Sequence, residues 1–346
     1  MPRRRYTDDI RERFRREMSL PGARVCDVAA RLGLPINGTT YRWAMEDRQL
    51  STPQPMTVCA LLSDWHIGAI VESSLMRGMY AYDTDICESR IDTLCREIRS
   101  MIALYGKTHR IESVNLLWAG DIIDGINAYR GQRYRLQLTT PKAQRHWALP
   151  RLVRFIEDIA AEAIKVTCLV VAGNHGRASA QEEQPAEANE ELRLFEEVAR
   201  ATEHLSNVVW WHHLIGIAFD VLGHGVYVEH GQRVPWGGRA SQPTPGTWQH
   251  AHNICVDEGR LLEVVCWGHR HTPVYLHGRP HILSNGCLSG YNEFARELHL
   301  RPTLPGQWVF GITPAGLVWA HNVVLGTWPE TTPDALTSVL SGALHE

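Results

Sequence analysis

Long apolar runs, closely spaced cysteine pairs and a strong net charge are all missing from this chain of 346 residues. Because it has no stretch of about 18 uncharged apolar residues, we expect no membrane span. Residues 1–16 are charged and have no apolar core of the secretory type, which argues against a signal peptide and favours a cytoplasmic protein. The chain also has no internal repeat and no low-complexity tract.

The eight cysteines are scattered and form no Cys-x-x-Cys pair. This spacing argues against a disulfide or zinc–thiolate framework and predicts free thiols in a reducing compartment. The net charge is only −3, so binding to nucleic acid would need local basic patches.

Residues 1–50 differ from the rest of the chain in charge: they hold eleven arginines and seven acidic residues, a local +4, which leaves −7 for the remainder. Residues 25–35 and 37–44 are predicted to form two helices joined at a glycine turn, and this order resembles a DNA-binding helix-turn-helix. The residues expected to face the major groove are Asn37, Thr39, Thr40 and Arg42. The alternative is a small helical adaptor that binds protein or only packs. Residues 51–57 are predicted to be a linker.

Strands and helices alternate in the first half of the remaining chain, whereas the second half is mainly strand. Buried strands are predicted over 56–62, 113–118, 166–171, 226–229 and 262–267, and helices over 85–105, 150–164 and 181–204. This order predicts an α/β fold, a four-layer α/β/β/α sandwich of two mixed sheets over residues 58–328, with a small N-terminal helix-turn-helix-like domain. Residues 329–346 are predicted to be a peripheral tail.

Polar residues that can bind a metal follow five of these strands. They are Asp64 and His66, Asp121 and Asp124, Asn174 and His175, His230, and His269 and His271. Ligands of open α/β sheets bind beyond the carboxyl ends of the strands. One such strand end would be an ordinary loop, but five in one chain predict a site of oxygen and imidazole ligands, which suits Mn²⁺, Fe²⁺ or Zn²⁺.

The five blocks resemble, in order, the motifs D-x-H, G-D-x-x-D, G-N-H-D/E, H and G-H-x-H of the calcineurin-like metallophosphoesterase superfamily. This resemblance covers the chain from Asp64 to His271. It implies two divalent cations, with Mn²⁺ expected and Fe²⁺ or Zn²⁺ as alternatives. The implied ligands of one cation are Asp64, His66, Asp121 and His271, and those of the other are Asp121, Asn174, His230 and His269.

The resemblance also implies a mechanism, in which a hydroxide that bridges the cations attacks phosphorus. His175, oriented by Asp124, would protonate the leaving group as the general acid. Two positions depart from the family. Gly176 stands where the family usually has Asp or Glu, so the contacts that hold the loop around His175 would differ from those of the family. Asp124 is followed by Gly125, so the phosphate-clamping arginine of the G-D-x-x-D-R-G branch is missing.

The segment 126–156 has seven basic residues and no acidic residue, with aromatic residues between them. Beside a phosphate-cleaving site such a segment would attract a polyanion, and its rings could stack on bases. The alternatives are a lid over a small nucleotide or a solvated helix face. The predicted substrate-binding residues are Arg130, Arg133, Arg135, Lys142 and Arg145.

These features predict a dinuclear-metal phosphodiesterase, specifically a DNA nuclease similar to the Mre11/SbcD-type repair nucleases or to phage-encoded phosphoesterases. One alternative is a small-substrate phosphatase or cyclic-nucleotide phosphodiesterase, and another is a nucleic-acid-binding protein with a non-catalytic metal site. DNA or another nucleic acid is the expected partner, and a homo-oligomer is an open alternative. We expect residues 284–286 to line the pocket. Five further histidines could each support a metal ligand, although most of them are expected to be bystanders: His212, His213, His224, His250 and His252.

Overall fold

The computed structural model describes residues 8–18, 23–36, 40–41, 43–44, 53–78, 80–179, 188–237, 242–297, 299–300 and 302–327. The chain divides into two compact units, Met1–Gln54 and Pro55–Glu346. The predicted tail, residues 329–346, lies outside the described residues.

The first unit contains helices α1 (Asp8–Met18) and α2 (Val25–Arg31). Its apolar core consists of Phe14, Val28, Ala29, Leu34, Trp43 and Ala44. Thr40 is fully buried and donates a hydrogen bond from Oγ1 to the Pro35 carbonyl at 3.1 Å. A side chain enclosed in this way cannot reach a base, so the prediction that Thr40 faces the major groove is wrong. The other three predicted contacts, Asn37, Thr39 and Arg42, lie outside the described residues.

The second unit contains strands in two main sheets, several helices and a short two-stranded ribbon. The strands are β1 (Gln54–Leu62), β2 (His109–Trp118), β3 (Val166–Val171), β4 (Val208–His213), β5 (Gly216–Val221), β6 (His224–Glu229), β7 (Trp236–Gly237), β8 (Gln242–Pro243), β9 (Val264–Trp267), β10 (Val274–Leu276), β11 (His281–Ser284), β12 (Gly306–Thr313) and β13 (Gly316–Val324). The helices are α3 (Thr84–Tyr105), α4 (Pro141–Ala160), α5 (Glu190–Ala201), α6 (Pro245–Asp257) and α7 (Glu293–Glu297), with a 3-10 turn at Gln132–Arg135.

Both main sheets are mixed. The first has the order β13-β12-β1-β2-β3-β4, in which β1 pairs antiparallel with β12 while β2, β3 and β4 run parallel. The second has the order β10-β11-β9-β6-β5, in which the three central strands run parallel and the two edge strands antiparallel. The predicted α/β architecture with two mixed sheets is therefore confirmed.

The two sheets pack face to face because alternate residues of each strand point to opposite faces. In β1, Cys59 and Leu61 join the apolar cluster between the sheets, whereas Val58, Ala60 and Leu62 join the cluster under α3, α4 and α5. On the far side of the second sheet, a third cluster joins its strands to α6. The layer order is thus helices, sheet, sheet, helix.

Some predicted boundaries are wrong. Strand β1 begins inside the predicted linker 51–57, because Thr57 already pairs with Ile312 of β12. Helix α4 begins at Pro141 instead of 150, because the Thr140 side chain caps it by accepting from the Ala143 N–H at 3.1 Å, and it continues through Pro150. Helix α5 begins at Glu190, where Asn189 caps it.

All eight cysteines are free thiols, six of them buried, as predicted. Among the described residues, no helix combines the length and the apolar character that a membrane span needs.

Candidate metal centre

The loops that follow β1, β2, β3, β6 and β9 converge on one pocket, as the sequence predicts. Three groups of side chains bring one ligand atom each to within 4.8 Å of the others in the group. The groups are Asp64, His66 and His271; His66, Asp121 and His175; and Asp121, His230 and His269. Because Asp121 and His66 each belong to two groups, the three form one continuous cluster.

The first predicted cation site lies between the loops after β1 and β9. His271 Nε2 lies 3.3 Å from Asp64 Oδ1 and 3.0 Å from His66 Nε2. Asp64 is fully buried, and both of its oxygens accept the backbone N–H of His269, at 3.0 and 2.9 Å. The loop that carries two predicted ligands is therefore held by the side chain of a third.

The second predicted cation site lies between the loops after β2, β3 and β6. His230 Nε2 lies 3.0 Å from Asp121 Oδ2 and 2.9 Å from Asn174 Oδ1. The His230 and His269 rings are 5.0 Å apart between centroids. The residues predicted as ligands thus lie close together in space, and Asp121 adjoins both His66 and His230.

Two of these imidazoles are oriented by a hydrogen bond from Nδ1, the ring nitrogen that points away from the pocket. His66 Nδ1 donates to Asp124 Oδ1 at 2.9 Å, and His230 Nδ1 donates to the Ala119 carbonyl at 2.7 Å. These bonds leave Nε2 of each ring facing the pocket, where it can bind a cation when it carries no proton. This carbonyl or carboxylate support on the outer nitrogen is usual for metal-binding histidines.

The backbone of the site is strained. Five predicted ligands have positive φ angles: Asp64 (55°), His66 (49°), Asp121 (56°), His269 (65°) and His271 (53°). A residue other than glycine costs about 1–3 kcal/mol in such a conformation, and this kind of strain clusters at functional sites. Sequence patterns do not reveal it, because Asp and His enter the left-handed region only occasionally and the order of residues does not mark where they do.

His175 lies beside the cluster, where the sequence predicts a general acid. Its Nδ1 donates to the Asp124 carbonyl at 2.8 Å and lies 3.2 Å from Asp124 Oδ1, so its Nε2 faces Asp121 at 4.0 Å. Burial alone would lower the pKa of His175, but the charges of Asp121 and Asp124 raise it to about 9. The ring is therefore a proton donor that Asp124 orients.

The carboxylates at the centre stay ionised although they are buried. Burial opposes the charge of Asp121, but His230 and His175 lower its pKa well below the usual range. Burial likewise opposes the charge of Asp124, whose pKa is lowered by hydrogen bonds from His175 and His66. Buried charges need paired charges or metal ions, and this donor set of carboxylate, amide and imidazole groups fits divalent cations of the Mn²⁺, Fe²⁺ and Zn²⁺ type.

A buried glutamate supports the site from helix α5 and was missed by the sequence analysis. The Glu191 carboxylate is fully buried and accepts the backbone N–H groups of Asp121 at 3.2 Å, Ile122 at 2.5 Å and Gly173 at 2.8 Å. Its burial, and then the charge of Asp121, raise its pKa to about 7. Acidic residues of a surface helix usually face solvent, but Glu191 does not.

The sequence does contain a signal for Glu191. The residue lies three, four and seven positions before the apolar residues that dock α5, namely Leu194, Phe195 and Val198, and is therefore on the buried face of the helix. An acidic residue on an apolar face is rarely buried without a partner.

Gly176, the departure from the family pattern, is explained by the same helix. A Cβ at position 176 would lie 2.3 Å from Asn189 Oδ1 and 2.9 Å from Glu191 Cβ. Asn189 Nδ2 also donates to the Gly173 carbonyl at 3.2 Å. The residues at the start of α5 thus occupy the space that a larger side chain at 176 would need.

Two further amides support the ligand loops. Gln132, fully buried, donates from Nε2 to Asp124 Oδ2 at 2.9 Å. Asn285 Nδ2 donates to Ser63 Oγ at 2.9 Å, and Ser63 Oγ donates to Asp64 Oδ2 at 2.6 Å. Residues 284–286 are not part of the pocket wall, so the expectation that they line it is wrong, and they support β1 instead.

Four of the seven basic residues of segment 126–156 find counter-charges in other elements, so the segment is less positive than its sequence indicates. Arg145 pairs with Glu190 and lies 3.6 Å from Glu197. The remaining pairs are Arg151 with Glu88 (2.8 Å), Arg154 with Asp92 (3.9 Å) and Arg135 with Glu297 (3.1 Å). Of the predicted substrate-binding residues, Arg135 lines the pocket. Arg130, Arg133 and Lys142 are exposed.

The five further histidines belong to none of the three ligand groups. His250 lies 2.7 Å from the Glu229 carboxylate, His224 contacts the Pro314 carbonyl, and His252 contacts the Trp248 carbonyl. His212 lines a separate groove beside α5.

A scan against protein-family models found no match to this chain, and a search of curated proteins found none either. Similar solved structures include Vps29 complexed with Zn²⁺ from Entamoeba histolytica, at 10% identity and a TM-score of 0.32, with 78% of this chain and 99% of that chain covered. Vps29 of Chaetomium thermophilum is 8% identical with a TM-score of 0.32, covering 79% and 100%. YfcE, a phosphoesterase from E. coli, is 12% identical with a TM-score of 0.29, covering 77% and 99%. Because these likenesses are remote, the function proposed below rests on the site itself.

Proposed function

We propose that this chain is a metal-dependent phosphoesterase that hydrolyses phosphodiester bonds. The single observation that supports this most is the convergence of seven metal-binding side chains from five strand ends, with Asp121 shared between two sets. Five of these side chains stand on strained backbone, and such strain needs a functional reason. When bound, two divalent cations would polarise the phosphoryl oxygens and supply an attacking oxygen at neutral pH.

The residues around the cations divide the remaining chemistry between them. His175 would hold the proton for the leaving oxygen on Nε2, because its Nδ1 is engaged by the Asp124 carbonyl. Asp124 would keep His66 and His175 in place through the same carboxylate oxygen, Oδ1. General acids of this kind speed a reaction by about 10²–10⁴-fold.

We propose DNA as the substrate, cut by nuclease activity of the kind found in the Mre11/SbcD-type or phage-encoded phosphoesterases. The exposed and unneutralised residues Arg130, Arg133 and Lys142 support this, since no acidic partner of theirs is found in the described part of the chain. The N-terminal basic unit would add a second contact with nucleic acid through Asn37, Thr39 and Arg42.

A small phosphate ester is the second candidate substrate, for a phosphatase or cyclic-nucleotide phosphodiesterase. Two observations favour it. The pocket has a volume of about 680 Å³, which is the size of a small-molecule site. In addition, four of the seven basic residues in segment 126–156 are paired with acidic side chains, so less positive charge remains for a polyanion.

Purified protein with Mn²⁺ is to be incubated with labelled single- and double-stranded DNA, with bis-p-nitrophenyl phosphate and with p-nitrophenyl phosphate. We expect the DNA and the diester to be cleaved, and chelation of the metal to stop both reactions. Turnover of the monoester alone would exclude the nuclease. Inactivity on all four substrates, together with DNA binding, would favour a nucleic-acid-binding protein with a non-catalytic metal site.

A further inference from the structure

The loop after β2 cannot supply an arginine to the phosphate. Gly125 has a φ of 67°, and a Cβ at this position would lie 2.0 Å from the His175 carbonyl oxygen. Any side chain there is therefore excluded by the backbone of the loop that carries the predicted general acid. A guanidinium that binds substrate in this pocket must come from another element.

Two arginines line the pocket, Arg135 and Arg270, and their surroundings differ. Arg135 Nη2 lies 3.1 Å from the carboxylate of Glu297, so its charge is balanced. Arg270 Nη2 donates to the Val234 carbonyl at 2.5 Å, and in the described part of the chain no acidic side chain forms an ion pair with it. Its Nε is buried and has no hydrogen-bond partner there.

Arg270 is also placed where an anion would arrive. It stands between His269 and His271, one residue from a predicted ligand of each cation. The carbonyl that it contacts, Val234, belongs to the loop after His230, and Val234 N in turn donates to the Gly231 carbonyl at 3.1 Å. This contact fixes the guanidinium against the wall of the pocket. Its other N–H donors have no acceptor among the described residues.

The charge of Arg270 is only partly hydrated. Its side chain is half-buried, and its Nε is shielded from solvent. An anionic ligand stabilises a guanidinium that has lost water and forms no ion pair with a carboxylate. The planar guanidinium can also donate two parallel hydrogen bonds to two oxygens of a phosphate.

We propose that Arg270 binds a phosphate oxygen of the substrate, in place of the arginine that Gly125 excludes. The role rests on the proposed phosphoesterase function, because the phosphate is the part of the substrate that the metal centre would hold. The G-H-R-H motif then combines, in four consecutive residues, one ligand for each cation and the guanidinium for the phosphate.

The test compares the wild-type protein, Arg270→Gln and Arg270→Lys, all loaded with Mn²⁺. Titration calorimetry measures the affinity for inorganic phosphate, and elemental analysis measures the bound metal. We expect Arg270→Gln to weaken phosphate binding by about 10- to 100-fold, as for one hydrogen bond to a charged group, while the metal content stays the same. Arg270→Lys keeps the positive charge but cannot donate two parallel hydrogen bonds, so its affinity for phosphate should lie between those of the wild type and Arg270→Gln.

Arg99→Gln is the matched control. Arg99 is exposed on α3 and pairs with Glu162, just after α4, so this variant should bind phosphate as tightly as the wild type does. If Arg270→Gln fails to fold, protection of Arg270 from phenylglyoxal by inorganic phosphate in the wild-type protein gives the same test. Wild-type affinity in Arg270→Gln, loss of metal in that variant, or absence of phosphate protection would each overturn the proposal.

Failure of the proposed function has a different signature. A wild-type protein that binds Mn²⁺ and phosphate through Arg270 but hydrolyses no ester would contradict the enzymatic function and leave the phosphate site intact. Ester hydrolysis that is equally fast in the wild type and in Arg270→Gln would support the function and contradict the role of Arg270.

Discussion

Removing the Glu191 carboxylate should damage both the stability and the metal affinity of this protein. The carboxylate accepts three backbone N–H groups, from Asp121, Ile122 and Gly173, in the loops after β2 and β3. A buried donor left without an acceptor costs about 1–3 kcal/mol. Since water can enter the space left by Glu191→Ala, we take the low end for each donor and expect a loss of about 3 kcal/mol.

The effect on metal binding follows from the position of the three donors. Asp121 is the ligand shared by the two predicted cation sites, and Gly173 precedes the ligand Asn174. Residues that orient metal ligands typically change metal affinity by about 10- to 100-fold when they are replaced. Glu191→Gln, which keeps one of the two acceptor oxygens, should lose about half as much free energy of unfolding as Glu191→Ala.

The assays are urea unfolding without metal and calorimetric titration with Mn²⁺. The matched control is Glu196→Gln on the same helix, because Glu196 is exposed and lies 3.8 Å from Arg200, and an exposed pair of this kind is worth about 1 kcal/mol or less. If Glu191→Ala matched the control in both assays, the three hydrogen bonds would not support the site, and the argument from burial would be refuted.

Four other predictions test neighbouring parts of the centre. Asp121→Ala should lose both cations and activity, and elemental analysis that finds two cations per chain would contradict its shared position. His175→Ala should keep the metal but lose about 10²–10⁴-fold in kcat, so a variant that loses its metal would make His175 a ligand. Gly176→Ala should cost about 1–3 kcal/mol in urea unfolding, because its Cβ would meet Asn189 at 2.3 Å, and unchanged stability would show that α5 can move away. Finally, burial would lower the pKa of His230, but Asp121 raises it to about 9. Because Nε2 must therefore lose a proton to bind a cation, the affinity for Mn²⁺ should rise with pH up to about 9. Titrations in buffers of different ionisation enthalpy should detect the released proton.

The chemistry of the centre could be predicted because it depends on residue types at strand ends. Apolar runs locate the strands, and the end of each run places Asp64, Asp121 and His230 at an edge of a sheet. The positions of helix boundaries were less predictable. Local sequence rules predict that helix α4 begins at Pro150, but the helix runs through this proline. Its other interactions outweigh the one backbone hydrogen bond that proline cannot form.

The basic segment shows why charge along the chain is a poor guide to charge in space. Segment 126–156 has no acidic residue of its own, yet Arg145, Arg151 and Arg154 lie beside acids of α5 and α3. These partners are 45 to 63 positions away in sequence, and only the packing of helix against helix brings them together. Linear patterns contain no information about such pairs.

The sequence by itself determined the alternation of strands and helices and the set of side chains able to bind cations, because both depend on local order. Only the tertiary structure decided which groups support them. Glu191 reaches three backbone donors in two other loops, and Arg270 remains without an acidic partner in the described part of the chain because of what packs around it. Burial and hydrogen bonding are properties of the surroundings in space, and the free energy of a buried charge depends on those surroundings more than on its neighbours along the chain.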